Sequence, residues 1–304
     1  MVAAVKVAVT GGTGFIGSRL LEQAPSGWKI AALTRRSMKP RRGVTWIEGA
    51  LDDRQSLAAL VKGANAVIHM AGTISGRTAQ DFDIPNVEGT RTLLEAAQAA
   101  GVRRFVHVSS LAAREPSVSM YGGSKSRSED VVRASTLNWV IVRPPAVYGP
   151  GDKETLELFR WAKRGIVMLP PAGRASIIHA DDLSRLLLRL ADGDAPSGII
   201  FEPDDGSGGL AHPDLARALG KATGRSRTIP VSMPRSALKI GALLDQTIRR
   251  EGAKLTRDRA SYFCHPDWTS APERAVPPEL WQPTVKLADG LAATAEWYKA
   301  NGWL

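Results

Sequence analysis

A chain of 304 residues, 43% hydrophobic and 23% charged, is long enough to bury one large core or two smaller ones and reads as a folded globular protein. Its single cysteine, Cys264, excludes an internal disulfide, no metal-ligand set is expected, and no apolar run reaches the roughly 18 residues of a membrane-spanning helix. The formal charge of +10 raises nucleic acid, anionic membrane surfaces and phosphorylated ligands as partners. The arginines, however, are spread along the chain in short clusters, without zinc-finger spacing or an aromatic RNA-binding signature, so nucleic acid is not expected and a peripheral contact with an anionic membrane stays open.

Residues 1–10 alternate into a glycine cluster without the apolar stretch and cleavage site of a secretion signal, so a cytoplasmic protein is expected. The first strand, Val5 to Val9, runs into Thr10-Gly11-Gly12-Thr13-Gly14-Phe15-Ile16-Gly17, which opens a helix. This run fits G-x-G-x-x-G at Gly12, Gly14 and Gly17, and G-x-x-G-x-x-G at Gly11, Gly14 and Gly17. Glycines there permit a tight turn and close backbone approach, while the helix start offers unpaired N–H groups to a pyrophosphate. Gly11, Gly12, Thr13, Gly14, Phe15, Ile16 and Gly17 are therefore candidate dinucleotide contacts.

The second strand, Lys29 to Leu33, ends in Thr34-Arg35-Arg36, where an NAD-binding protein would place an acid for the ribose hydroxyls. Between Gly17 and Glu48 the only acid is Glu22. Guanidinium groups suit a 2′-phosphate by charge and by their forked donors, so Arg35 and Arg36 predict NADP.

Strands follow at Val44 to Ile47, Ala66 to Met70, Phe105 to Val108 and Trp139 to Val142, with helices over Ser56 to Val61, Thr90 to Ala100 and Ser124 to Ala134. The alternation predicts an α/β protein with a Rossmann-type doubly wound parallel sheet over residues 1–150. Past Tyr148-Gly149-Pro150-Gly151-Asp152 the rhythm breaks, and residues 151–304 read as a smaller, irregular substrate lobe. Part of it, about 176–192, carries a strand at Ile177 to His179 and a helix at Asp181 to Ala191, and is expected to pack back on the first unit. In the tail, Trp297, Tyr298 and Trp303 read as helix packing.

Tyr121-Gly122-Gly123-Ser124-Lys125 places a phenol and an ammonium four residues apart, on one face of a helix. A free phenol titrates near 10, too high for acid/base work at neutral pH, and a neighbouring ammonium would stabilise the phenolate. Ser109 or Ser110, at the end of the fifth strand, could hold the reacting oxygen.

These segments, with Val67-Ile68-His69-Met70-Ala71-Gly72, Asn86-Val87-Glu88-Gly89-Thr90, Arg143-Pro144-Pro145-Ala146-Val147-Tyr148-Gly149-Pro150-Gly151 and His179-Ala180-Asp181-Asp182-Leu183, resemble the extended or atypical short-chain dehydrogenase/reductases, the epimerase/dehydratase and hydroxysteroid-dehydrogenase-like group. The likeness covers nearly the whole chain. It implies Tyr121 as general acid/base, Lys125 lowering its pKa and holding the nicotinamide ribose, and Ser110 as the oxygen-orienting donor, with Ser109 as the alternative. Ala71 and Gly72 are implied on the adenosine side, and Pro144 to Val147 beside the nicotinamide. His179, Asp181 and Asp182 are implied to be structural.

Three departures stand out. Where the family often has Gly-Asp-Leu, this chain reads Gly49-Ala50-Leu51-Asp52, so the usual adenine-contacting carboxylate is missing and Leu51 and Asp52 remain as candidates. Ser110 and Tyr121 are only 11 positions apart, which predicts a trimmed loop and an open active site. Ala175-Ser176 stands where nucleotide-sugar members commonly carry Arg-Asp.

The expected function is an NADP(H)-dependent oxidoreductase acting on a small-molecule carbonyl or secondary alcohol, a hydrophobic ketone such as a 3-oxo lipid or sterol-like ketone, as a monomer or homodimer. The alternatives are a nucleotide-sugar epimerase or dehydratase, and a non-catalytic NADP sensor or assembly subunit.

Overall fold

The computed structural model describes residues 5–249 and 255–304. Its first half alternates as β1 (Lys6–Thr10), α1 (Phe15–Gln23), β2 (Lys29–Thr34), β3 (Val44–Glu48), α2 (Arg54–Val61), β4 (Ala66–His69), α3 (Ala79–Asp83), a π-helical turn at Ile84–Glu88, α4 (Gly89–Ala99), β5 (Arg104–Val108), a 3₁₀ turn at Leu111–Arg114, α5 (Met120–Arg133) and β6 (Asn138–Val142). Side chains of a strand alternate between faces, and the central strands are covered on both faces, so they are buried and largely apolar, whereas the edge strand β3 is partly exposed. Val7, Val9 and Ile30 pack on Leu20 and Leu21 of α1, whereas Ala8, Val67 and Phe105 face Leu57, Leu60, Leu93 and Val132 of α2, α4 and α5.

The chain continues through β7 (Ala146–Tyr148), α6 (Leu156–Arg164), β8 (Ile166–Leu169), β9 (Arg174–Ala175), β10 (Ile177–His179), α7 (Ala180–Ala191) and β11 (Ile199–Phe201). The sheet has seven parallel strands in the order β11-β6-β5-β4-β1-β2-β3. One of its two edge strands, β11, lies past residue 150 in a segment read from sequence as part of the second lobe; three residues after the left-handed Gly198 are too short a run to announce a strand. Next to it in sequence, α7 covers the α1 face with Leu183, Leu186, Leu187 and Leu190, and is fixed to α1 by a forked pair in which Arg19 donates to Asp181 at 2.7 and 2.8 Å.

The strand order reverses between β1 and β4. In doubly wound sheets this opens a crevice beyond the carboxyl ends of the strands, where ligands bind. The end of β1 carries Thr10 and Gly11, that of β4 carries Met70, Ala71 and Gly72, and the sequence motifs therefore meet at one edge.

The remaining elements are β12 (Leu210–Ala211), α8 (His212–Ala222), β13 (Ile229–Ser232), α9 (Arg235–Arg249), α10 (Arg257–Phe263), β14 (Asp267–Trp268) and α11 (Leu287–Ala300). Of these, α8 and α11 join α6 and β8 in a smaller core around Phe159, Leu169, Leu219, Leu291 and Tyr298, while α9 and α10 pack on each other through Leu238, Ala242 and Ala260. Trp297, Tyr298 and Trp303 pack on one another there, and the buried Tyr298 hydroxyl donates to the Asp152 carbonyl at 2.6 Å. Among the described residues no helix is long and apolar enough to cross a membrane.

Candidate active site

Gly11 adopts φ +76°, and a Cβ there would lie 2.9 Å from the backbone of Met70 and Ala71; a Cβ on Gly17 would come within 2.1 Å of the Gly11 carbonyl oxygen. Only glycine permits this turn to fold back under α1. Gly14 caps α1 without a side chain and no acid sits in the first turn, so the dipole end is left for an anion. Thr13 and Phe15 stand beside it, partly or fully exposed, with Gly12 and Ile16 closing the loop from below.

A directed hydrogen-bond chain fixes the facing loop. The Ala71 N–H donates to Thr10 Oγ1 at 3.2 Å, and Thr10 bonds His69 Nδ1 at 2.6 Å. His69 Nε2 meets Thr90 Oγ1 at 2.8 Å, and Thr90 donates onward to the Asn86 carbonyl at 2.7 Å. Because Thr90 spends its proton on Asn86, His69 must donate from Nε2 and accept from Thr10 at Nδ1. Burial and the nearby Lys125 charge push the His69 pKa down to about 3, which keeps the ring in that neutral form. Asn86, in the π-helical turn, accepts from the Thr73 N–H at 2.7 Å and donates to Ser124 Oγ at 2.9 Å, joining the loop after β4 to α5.

At the end of β2, Arg35 and Arg36 are exposed, and among the described residues neither guanidinium has a carboxylate partner. Thr34 shapes their turn by donating to the Arg36 carbonyl at 2.8 Å. Leu51 packs on Gly89, and Asp52 is exposed. Asp53 is occupied as the cap of α2, accepting from Gln55 and Ser56.

The two serines after β5 have different partners. Ser109 donates to Glu129, itself buried and gripped by the Arg143 fork at 2.8 and 2.7 Å. Arg143 also donates to Glu202 at 3.2 Å, and Glu202 accepts from Arg114 at 3.1 Å and the Ala271 N–H at 3.0 Å. This buried ion network ties β6, α5 and β11 to the segment after β14, and removing one partner would strand a buried charge at a cost of roughly 3–5 kcal/mol. Ser110 instead caps the 3₁₀ turn, accepting from the Ala112 N–H at 3.2 Å, a bond that does not use its own hydroxyl proton.

Burial pushes the Tyr121 phenol above its ordinary value, and the Ser110 hydrogen bond opposes that rise. Lys125 donates to the Val108 carbonyl at 2.7 Å, its attractive charge partner is Glu129, and burial lowers its own pKa to about 8. The four-residue spacing does put both groups on α5, but the ammonium is anchored against the strand rather than the phenol.

Residues of the second lobe pack beside the short loop between Ser110 and Tyr121. Tyr121 clusters with Leu111, Val118, Tyr262 and Trp268, and Tyr262 stacks on Trp268 with ring centroids 4.6 Å apart. Asp258 of α10 accepts from the N–H of Met120 at 2.5 Å and of Tyr121 at 3.4 Å, placing a carboxylate at the positive end of α5. Sequence reasoning missed Asp258, Tyr262 and Trp268. Pro144 is buried and accepts from the Leu111 N–H at 3.1 Å, while Val147 lies in β7 beside Ile178. His179, Asp181 and Asp182 serve structure, with Asp182 accepting from the N–H groups of Thr284 and Val285 at 3.1 Å.

A family model described as NAD(P)H-binding matches residues 11–164, and the chain is 38% identical over 308 aligned positions to a ceramide reductase of Caulobacter vibrioides, covering 98% of this chain and 96% of the relative. The chain belongs to the extended short-chain dehydrogenase/reductase superfamily. Within that superfamily it is also 28% identical to a 2-alkyl-3-oxoalkanoate reductase of Stenotrophomonas maltophilia, over 94% of this chain and 97% of that one. A solved structure, MoeE5 in complex with UDP-glucuronic acid and NAD, superimposes with TM-score 0.74 over 98% of this chain and 99% of that one at 21% identity, a likeness of fold. The protein is thus a pyridine-nucleotide-binding member of a family of reductases and epimerases, an enzyme of the short-chain dehydrogenase/reductase kind.

Proposed function

We propose that the protein is an NADP(H)-dependent reductase that converts a hydrophobic ketone, a 3-oxo lipid of the ceramide class, to the secondary alcohol. The observation that carries this reading is a phenol, Tyr121, packed in the cluster of Leu111, Tyr262 and Trp268 close to the Ser110 hydroxyl, and raised by burial so that it stays protonated at neutral pH. A reductase needs its tyrosine as a general acid at neutral pH, and it needs an apolar wall if its ketone is a lipid. The full-length similarity to a ceramide reductase, and that to a 2-alkyl-3-oxoalkanoate reductase, supports the substrate class.

The glycine turn at Gly11 to Gly17, the open first turn of α1 and the exposed Arg35 and Arg36 fit a dinucleotide with a 2′-phosphate. Thr13, Gly14, Phe15 and Ile16 would hold the pyrophosphate, Leu51, Asp52, Ala71 and Gly72 the adenosine, and Lys125, Pro144 and Val147 the nicotinamide end. When bound, the cofactor supplies a hydride to the carbonyl carbon. Tyr121 donates the proton to the carbonyl oxygen, and Ser110 donates a hydrogen bond that orients it. Lys125, poised near neutrality by burial, can pass a proton toward the site or bind the ribose hydroxyls. Asp258 fixes the backbone turn on which Tyr121 rides.

A panel of ketones, including 3-oxo acyl and 3-oxo sphingoid lipids, tests the reading through NADPH oxidation, with NADH as the comparison. Stoichiometric NADPH loss with a lipid ketone is expected. Turnover only of UDP- or dTDP-sugars without net NADPH loss would replace the proposal by an epimerase, and NADPH binding without turnover on any ketone by a sensor.

A further inference from the structure

Apolar side chains exposed to water are concentrated in one part of the second lobe. Of nine large ones exposed among the described residues, four lie on α9 (Ile240, Leu243, Leu244, Ile248) and three on the β8–β13 pair (Ile166, Ile229, Val231). Ile240, Leu244 and Ile248 recur every four residues and so form one stripe along the helix, and Ile248 is 77% exposed. The opposite side of α9 is satisfied: Leu238 and Ala242 pack on Ala260 of α10. In β13, Ile229 and Val231 are two apart and share one face, and Ile166 is the register partner of Ile229. Only Met233 and Pro234 separate β13 from α9, so the two apolar surfaces are consecutive in the chain.

Charge accompanies the exposed apolar surface. From residue 225 to 249 the chain carries Arg225, Arg227, Arg235, Lys239 and Arg249 against one acid, Asp245, and Lys163 and Arg164 immediately precede Gly165 and Ile166. A helix with an apolar stripe and basic neighbours lies stably in the interface of an anionic bilayer, its apolar side chains in the acyl boundary and its cations among the headgroups. A second copy of the chain would bring like charges together on this surface.

The location connects this face to catalysis. α9 packs on α10, and α10 carries Asp258, which holds the N-terminal turn of Tyr121, and Tyr262, which forms part of the wall around it. We infer that α9 and the adjoining β8–β13 edge are a docking surface for an anionic lipid bilayer, which seats the α9–α10 pair at the membrane so that a lipid ketone reaches Tyr121 without crossing water. The inference deepens the proposed lipid-ketone reading and takes its purpose from it, but binding and turnover are measured separately.

The test is co-sedimentation of the full chain with phosphatidylcholine vesicles, with and without phosphatidylglycerol, for the wild type, the double variant Leu244→Glu/Ile248→Glu, and Lys239→Glu. Both sets of substitutions are at exposed positions, and unchanged NADPH protection against thermal unfolding would show that the fold is kept. The wild type is expected to pellet with phosphatidylglycerol vesicles, and the double variant to lose more than about tenfold in partitioning. Lys239→Glu should weaken binding less, with greater salt sensitivity in the wild type. The inference is overturned if the wild type stays in the supernatant with both vesicles, if the double variant binds equally, or if α9 instead drives a concentration-dependent dimer seen by sedimentation velocity. Turnover of a detergent-dispersed 3-oxo lipid separates the two readings. Turnover without vesicle binding removes the docking surface alone, whereas vesicle binding without ketone turnover on any substrate removes the reductase reading alone.

Discussion

At the nucleotide end of the sheet, the surfaces come from short segments that directly follow β1, β2 and β4, and they are defined largely by backbone: a left-handed Gly11, an uncapped helix start, a loop held by Thr10 and His69. At the substrate end, the surfaces come from side chains far apart in sequence. Asp258 reaches the Tyr121 N–H across 137 positions, and Tyr262 and Trp268 wall it from the second lobe. Backbone-built sites depend on residue types that only a few amino acids can replace. Side-chain-built sites depend on which elements a lobe brings near, which is where members of one fold diverge in substrate.

The comparison can be broken at the chemistry first. Tyr121→Phe should cut kcat by at least about a hundredfold, the usual scale of general acid help, with NADPH affinity unchanged in a fluorescence titration. Retention of near wild-type turnover would move proton donation elsewhere in the substrate end.

At the nucleotide end, Arg35→Asp should reverse cofactor preference. A charge-assisted contact to the 2′-phosphate contributes about 1.5–3 kcal/mol, so the wild type should prefer NADPH by roughly ten- to a hundredfold, and the variant NADH. Equal dissociation constants for the wild type at low salt would make Arg35 an ordinary surface residue. Arg36 shares the turn, so the double substitution sharpens the result.

Between the two ends sits Lys125. Burial lowers its pKa to about 8 from an ordinary 10.5, so between those values the unfolded chain binds more protons than the folded one, and the stability of the wild type gains as pH rises through that window. Below about 8 both states are protonated and the full cost of the buried charge applies. Lys125→Met should therefore raise the Tm of the cofactor-free protein by a few degrees at pH 7, lose that advantage toward pH 10.5, and weaken NADPH binding. A variant less stable than the wild type at pH 7 would show that the Val108 contact outweighs the burial cost.

The smallest effect is expected at Asp258→Asn, which keeps an acceptor at the start of α5 but removes its charge. A helix-terminus charge contributes about 0.3–1 kcal/mol, so kcat on a lipid ketone should fall by roughly two- to fivefold with NADPH binding intact. A loss of NADPH binding instead would place Asp258 in the fold rather than at the substrate end.

The same contrast accounts for what the sequence disclosed. The glycine turn, the strands to residue 142 and the Tyr121–Lys125 spacing are local patterns, readable because period and residue type change within a few positions. β11 escaped because three residues carry no period, and it forms only when β6 offers an edge. Ser109 and Ser110 are indistinguishable as neighbours in sequence; the buried Glu129 takes the Ser109 proton, whereas Ser110 accepts from the Ala112 N–H. The rings of residues 262 and 268 that share a cluster with Tyr121 come from the second lobe, and nothing near Tyr121 in sequence gives a signal for them.

The central claim is net reduction of a lipid ketone, and hydride tracing tests it most directly. NADPH deuterated at the transferring position is mixed with a 3-oxo lipid of the ceramide class, and the product is examined by mass spectrometry. The account predicts one deuterium on the new carbinol carbon for each NADPH consumed, and loss of that product in Tyr121→Phe. Undeuterated alcohol, or unconsumed NADPH alongside conversion of a nucleotide sugar, would contradict it.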